Sequence, residues 1–340
     1  MTSDQHTGRS SALAGDIAPT NGTTVPYTNG DDALQSQAQS LSQPAAAGPH
    51  HFPDVCYKLR NKVLAFLDEE IPASEELLKN MQSQVRISVD VVEQALRRYT
   101  LEEISLSYNG GKDCLVLLIL ILACLPICNE APKATADAPV PAPEANQAQA
   151  TQPPAATASA AAPTSTTPYP LQSIYIVPPD PFPEVDEFVD ESTAEYHLDL
   201  ARYPLPMRAA LDAYLADRPT VRAIFMGTRR TDPHGEFLTH FTPTDPGWPQ
   251  FMRIHPVIDW HYAEIWAFIR HFDIPFCQLY NRGFTSLGGT TDTRPNPVLA
   301  KKAKGANADA DNDSGSSTPT SFRPAYELMD DDEERLGRGR

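Results

Sequence analysis

Eight consecutive residues, Ser107-Tyr108-Asn109-Gly110-Gly111-Lys112-Asp113-Cys114, carry an amide, two adjacent glycines, a cation and a carboxylate. They stand directly before Leu115 to Ile127, a run that is apolar almost throughout. A helix starting near Lys112 presents its free N–H groups and positive dipole end to the glycine turn, which makes an anion site. Gly110 and Gly111 lack Cβ, so a phosphate can approach the backbone closely and unusual φ values cost little. Lys112 adds a positive charge, and Asp113 is a possible magnesium ligand. The chemistry expected here is the grip of a polyphosphate, with ATP phosphates as the leading candidate. Neither common nucleotide fingerprint applies. A Walker A loop would need glycine where Leu106 stands and a hydroxyl residue where Asp113 stands. The dinucleotide pattern GxGxxG fails because the two glycines are adjacent.

Further candidates lie downstream. Gly227-Thr228-Arg229-Arg230-Thr231-Asp232-Pro233 brings two arginines and an acid together. Arginine gives bidentate contacts to phosphate, and an acid pairs with arginine or holds magnesium. The same residues also suit a plainer role, in which an Arg229–Asp232 pair only fixes the loop's shape. In Thr244 to Met252, Asp245 precedes Trp248, a tryptophan set between prolines. Such a ring either walls a flat ligand or plugs the edge of the core. Arg335 and Arg338 share one helical face by their i,i+3 spacing, yet Asp330 to Glu334 beside them read as a solvated charged tail. His255, His261 and His271 lack a metal spacing such as HExxH, so packing or solvent is their expected fate.

The elements that must position these residues follow from periodicity. Val55, Leu59, Val63 and Phe66-Leu67 recur at helical spacing, as do Leu77, Leu78, Met81, Val85, Val91, Val92 and Leu96. Ile104 to Ser107 reads as a buried strand before the glycine turn. Ser173 to Val177 reads as a second strand, followed by a helix from Phe182 with proline and acids in its first turn. Tyr196 to Leu200 is the expected third strand, Pro206 to Asp217 a helix, and Ala223 to Met226 a fourth strand ending at Gly227. A helix over His261 to His271 should take Asp259 as N-cap. Strands alternating with helices predict an α/β fold: a doubly wound, mostly parallel sheet with helices on both faces and the phosphate loop after the first core strand. Ligands of such sheets bind at the carboxyl ends of the strands, so the loops after Ser107, Val177 and Met226 should converge.

Composition bounds the rest. Of 340 residues 33 are proline, and some of these lie in Ala/Pro/Thr/Ser tracts that cannot bury enough apolar surface to fold. Residues 1–50 are therefore expected to be a disordered tail, and 129–168 and 301–321 disordered insertions within a single domain spanning 51–340. A forty-residue insertion is tolerable because closure entropy grows only logarithmically with length. The net charge of −17 disfavours a nucleic-acid partner. The five cysteines (Cys56, Cys114, Cys124, Cys128, Cys277) form neither CxxC nor a zinc spacing, which suggests reduced thiols. Leu115 to Ile127 is too short to span a bilayer, and Met1 to Arg9 shows no signal sequence. The expectation is a cytoplasmic monomer without a membrane partner.

The loop Ser107 to Cys114 resembles the pyrophosphate loop of the ATP pyrophosphatase and PAPS reductase superfamily, in the version found in eukaryotic FAD synthases. Phe182-Pro183-Glu184, Met226 to Pro233, Thr244 to Met252, Asp259-Trp260 with Ile265-Trp266, and Leu279 to Gly288 resemble successive segments of that family in the same order. Arg323 to Leu328 and Glu333 to Arg338 resemble its closing arginine motif. The resemblance covers roughly 90 to 130, 170 to 300 and 322 to 338. It departs at the two insertions, in the loosely matching Thr291 to Pro295, and in the missing molybdopterin-binding-like domain of the animal enzyme.

The resemblance implies that Mg-ATP and FMN are substrates and that AMP is transferred to the FMN phosphate, giving FAD and pyrophosphate. Ser107, Tyr108, Asn109, Gly110, Gly111, Lys112, Asp113, Gly227 and Arg230 would bind ATP. Asp113 would meet magnesium directly or through water. Asp232, Asp245, Trp248, Arg335 and Arg338 would bind FMN, with Trp248 against the flavin ring. Asn109, Asp113, Arg229, Asp232, Arg335 and Arg338 would carry catalysis. A PAPS or APS reductase, or another ATP pyrophosphatase of the same fold, is the alternative. A reductase would need a redox-active cysteine near its end, and after Cys277 there is none.

Overall fold

The computed structural model describes residues 51–128, 170–301 and 321–339. The expected disordered tail 1–50, the insertion 129–168 and all but the two ends of 301–321 lie outside the described residues. Those two ends meet, because the Lys301 N–H donates to the Ser321 carbonyl at 3.0 Å.

Two helices come first, α1 (Phe52–Asp68) and α2 (Glu76–Arg98). Each buries one stripe: Cys56, Leu59, Val63 and Phe66 on α1, and Met81, Val85, Val92 and Ala95 on α2. Both stripes pack on α3 (Lys112–Cys128), which follows β1 (Ile104–Ser107) across the glycine turn. Every residue from Leu115 to Leu125 of α3 is buried, so a helix with no polar side is explained by neighbours all round it. Among the described residues no helix is long and apolar enough to cross a membrane.

The sheet continues with β2 (Gln172–Ile176), α4 (Pro183–Glu195), β3 (Asp199–Tyr203), α5 (Met207–Asp217) and β4 (Ala223–Phe225). Then come β5 (Phe241–Pro243), β6 (Met252–Ile254) and α6 (Tyr262–His271). The strand order is β3-β2-β1-β4-β6-β5, parallel except for the edge strand β5. Strand alternation divides the core between the two faces. Ile104, Leu106, Ala223 and Phe225 join the large cluster under α1, α2, α3 and α6, while Ile174, Ile224, Leu211 and Tyr214 form a smaller one under α5. On the α5 side Ser105 of β1 meets Tyr214 oxygen to oxygen at 2.6 Å. This is the expected doubly wound α/β sheet. Its order reverses between β1 and β4, and that crevice is where the glycine turn opens.

Three local expectations need correction. The third strand runs Asp199–Tyr203 rather than 196–200, because Tyr196 caps α4 and His197 turns the chain with φ +53°. The N-cap of α6 is His261, not Asp259. The His261 N–H donates to Glu264 Oε2 at 2.8 Å in a capping box, and Asp259 accepts from Arg230 Nε at 2.6 Å instead. Strands β5 and β6 went unforeseen because three residues are too few to show a period, and Pro243 suits only an edge.

Candidate active site

The glycine turn is shaped by its own side chains and by α4. Gly110 has φ +71°, and a Cβ there would stand 2.8 Å from Val189 Cγ2. The bare Cα is therefore covered by α4 packing and is not left open for a phosphate. Asn109 Oδ1 accepts from the Gly111 N–H and from Cys114 Sγ, each at 3.0 Å, so this side chain holds the turn. Tyr108 lies behind the turn, wholly buried, with its hydroxyl donating to Ser192 Oγ at 2.8 Å. Ser107 ends β1 half-buried. Gly227 closes the other side, since a Cβ on it would meet the Cys114 nitrogen at 2.8 Å. Gly110→Ala should lower stability by at least about 2 kcal/mol, combining left-handed backbone strain with overpacking. A urea midpoint equal to wild type would show that the turn relaxes freely.

At the first turn of α3 sits a charge cluster drawn from four segments. Lys112 Nζ lies 3.0 Å from Asp113 Oδ2 and 2.5 Å from Glu334 Oε1. Arg229, fully enclosed, has Nε 2.8 Å from Asp113 Oδ1, NH1 3.2 Å from Asp331 Oδ1, and NH2 on Glu334. Asp331 also accepts the Tyr262 N–H at 2.7 Å and meets His261 Nδ1 at 2.6 Å. From behind, the Lys112 N–H donates to the Tyr280 hydroxyl at 2.9 Å. Two cations thus stand among three carboxylates, and each buried charge has an opposite partner.

Electrostatics follow from that lattice. Burial works to raise the Asp113 carboxyl, but Arg229 and Lys112 outweigh it and hold the group below the usual carboxylate range. Burial likewise pulls Lys112 down, and Asp113 with Glu334 lifts it above the ordinary lysine value. Both groups are charged at neutral pH. The accessible members are different residues: Asp113, Asp232 and Arg335 keep side-chain exposures of 21%, 23% and 43%. Arg335 NH1 stands 3.8 Å from Asp232 Oδ1, while Asp232 Oδ2 accepts the Arg229 N–H at 2.9 Å.

The fold therefore brings Lys112, Asp113, Gly227, Arg229, Asp232 and Arg335 together, and leaves four expected residues outside. Arg230 turns away, tied to Asp259 and to the carbonyls of Glu236 and Leu238, so it offers nothing to the turn. Asp245 and Trp248 sit on the β5–β6 connection at the amino end of β6, whereas the glycine turn follows the carboxyl end of β1. Trp248 is exposed, which rules out a core plug, and Asp245 pairs with Arg253 at 3.5 Å. Arg338 binds Asp292 at 3.2 Å, packs over Gly288, and borders a hollow of about 420 Å³ with Arg294 and Leu336.

Sequence reasoning did not single out Glu334, Asp331, His261 or Tyr280. The available signal was the acidic run beside Arg335, which reads equally well as solvated charge.

Magnesium can be tested against these groups. A dication bound directly to Asp113 would face Lys112 and Arg229 at its two oxygens, and that does not fit. Among the described residues no group of three or more His, Cys, Asp or Glu is placed to hold an ion. Cys277 is buried, donates to the Glu184 carbonyl, and has its thiol pushed up to about 11 by burial, which makes it a poor nucleophile.

The chain is similar to several known proteins. The family model of the phosphoadenosine phosphosulfate reductase domain matches residues 204–295. A probable FAD synthase of Schizosaccharomyces pombe is 36% identical over 266 residues, covering 78% of this chain and 83% of that protein. A probable FAD synthase of Caenorhabditis elegans is 30% identical over 267 residues, covering 78% of this chain but 42% of its own length. The crystal structure of Candida glabrata FMN adenylyltransferase in complex with FMN and the ATP analogue AMPCPP has a TM-score of 0.67 at 26% identity, covering 85% of this chain and all of that one. The expected fold and the resemblance are both upheld, and the chain belongs to the FAD synthase (FMN adenylyltransferase) family.

Proposed function

We propose that ATP binds with its polyphosphate against the glycine turn of residues 109–112 at the head of α3, displacing the Asn109 and Tyr280 contacts to the Gly111 and Lys112 amides, and that its AMP passes to the phosphate of FMN there. An FMN phosphate oxygen forms the new bond to the α-phosphorus of ATP. The bond from that phosphorus to the bridging oxygen breaks, and its electron pair leaves with pyrophosphate. The nucleophile already carries negative charge, so no protein nucleophile is required. The chain contributes alignment and neutralisation of the leaving charge. The observation that carries this reading is the convergence of Asp113, Asp232 and Arg335 on the accessible side of the turn, from three distant segments. Arg335 faces the reacting phosphates, and Arg229 acts through Asp113 instead of touching substrate.

Magnesium would enter with ATP and supply charge neutralisation at the phosphates, and Asp113 would hold it through water and not directly. One domain, 51–340 with the stretches 129–168 and 301–321 as insertions, works as a cytoplasmic monomer on small molecules. Its charge of −17 supports a reading without nucleic acid.

FMN is assigned its phosphate end at Arg335 and Asp232, and its ring end at Asp245 and Trp248. With three residues in β6, the two ends of that strand are only about 7 Å apart. A flavin running beside it can therefore reach an exposed tryptophan. Trp248→Ala should raise the KM for FMN about tenfold, within the usual worth of a stacking contact, and leave the KM for ATP alone. An unchanged FMN KM would move the ring to the hollow beside Arg338. The function itself is tested by incubating the protein with FMN, ATP and magnesium and separating the products. FAD and pyrophosphate in equal amounts are expected, and their absence would overturn the reading.

A further inference from the structure

The tail delivers one carboxylate that the reaction above does not use. Glu334 is 4% exposed, and its two oxygens serve different cations: Oε1 accepts from Lys112 Nζ at 2.5 Å and Oε2 from the Arg229 guanidinium. Its main chain is fixed without help from that side chain. Thr285 Oγ1 donates to the Glu334 carbonyl at 2.6 Å, and Asn296 Nδ2 donates to the Glu333 carbonyl at 2.7 Å and to Thr285 Oγ1 at 3.0 Å. Thr285 and Asn296 are themselves buried. One residue turn earlier, Asp331 locks the same 3-10 segment (Asp331–Gly337) to the start of α6 and to Arg229.

We propose that Glu334 is a positioning residue for adenylyl transfer: it sets where Lys112 and Arg229 stand, and through them Asp113, relative to the bound polyphosphate. The inference rests on the function proposed above. Lys112 Nζ lies between two acceptors, Asp113 Oδ2 and Glu334 Oε1. With only one of them left, the ammonium is free to swing on its four-carbon stem. Arg229 is held at three nitrogens by three carboxylates, and loss of one tilts the planar fork and with it the Asp113 oxygen 2.8 Å away. A carboxylate that merely occupied the place of a phosphate would belong on a segment free to leave. This one is held by two buried side chains through its backbone.

The test uses the full chain with two variants. Glu334→Gln keeps the shape and removes the charge; Glu334→Asp keeps the charge and draws it back by one methylene. Each should lower kcat on the order of a hundredfold, the scale of an ångström-sized misplacement. The Kd for the ATP analogue AMPCPP should stay within about threefold of wild type, because the glycine turn is untouched. Glu334→Asp should melt with wild-type cooperativity, so it decides the matter where Glu334→Gln fails to fold. A kcat for Glu334→Asp within about threefold of wild type overturns the proposal, as does tighter AMPCPP binding with undiminished kcat, the mark of a displaceable plug. Wild-type protein assayed in parallel separates the two readings: if it makes no FAD the proposed function fails, and only an active wild type lets the variants judge Glu334.

Discussion

Asp113→Ala is expected to lower kcat by at least about a hundredfold while the protein still melts cooperatively. Asp113 is the accessible carboxylate in the first turn of α3, and it carries a full negative charge because Arg229 and Lys112 overcome the effect of burial. Removing it strips Lys112 of one of two acceptors and leaves Arg229 Nε facing a void. Any water-bridged hold on Mg-ATP goes with it. The fold should survive because Glu334 still pairs with both cations, Asp331 still pairs with Arg229, and the apolar body of α3 is unaffected. Steady-state kinetics beside a thermal melt separate the outcomes. Near-normal turnover would remove Asp113 from the mechanism, and a lost melting transition would make it a structural residue.

Arg229→Met should do the opposite, striking stability first. The guanidinium is fully enclosed and is the shared partner of Asp113, Asp331 and Glu334. Methionine fills similar volume but leaves three carboxylates clustered round an apolar side chain, with Lys112 the remaining cation among them. Breaking a buried pair from one side typically costs about 3–5 kcal/mol, and a loss of that size should appear in urea unfolding at pH 7. Acid gives a second signature. In the wild type the Asp113 carboxyl titrates below its unfolded value, so its pairing stabilises at pH above about 3.9 and fades as pH falls through the lower folded value. In the variant that arginine no longer opposes burial, so the Asp113 carboxyl titrates higher than in the wild type and its protonation relieves the crowding. The stability gap between the two proteins should therefore narrow as pH falls from 7 through the carboxylate range. A gap that stays constant would mean that the loss is one of packing alone.

How far the amino-acid sequence reaches can be judged residue by residue. The glycine turn between an apolar strand and an apolar helix is a local pattern, and it places Lys112 and Asp113 at the head of α3 as expected. Strand and helix alternation was enough for the doubly wound sheet, because burial on both faces writes itself into continuous apolar runs. Three-residue strands left no such mark, and His261 displaced Asp259 as a cap through a contact chosen by the turn geometry. The two adjacent arginines show the boundary most clearly. Arg229 and Arg230 are indistinguishable by type and context, yet one is caged at the site and the other is turned to Asp259.

Local geometry, then, was written in the chain itself: a glycine turn at the head of an apolar helix is set by residues only a few positions apart. Which charges surround that site was decided only in three dimensions. Lys112 and Glu334 are 222 positions apart, and Arg229 and Glu334 are 105 apart. An ion pair of that span depends on how the tail crosses α6 and the segment Thr285–Asn296, and no short-range pattern records that path.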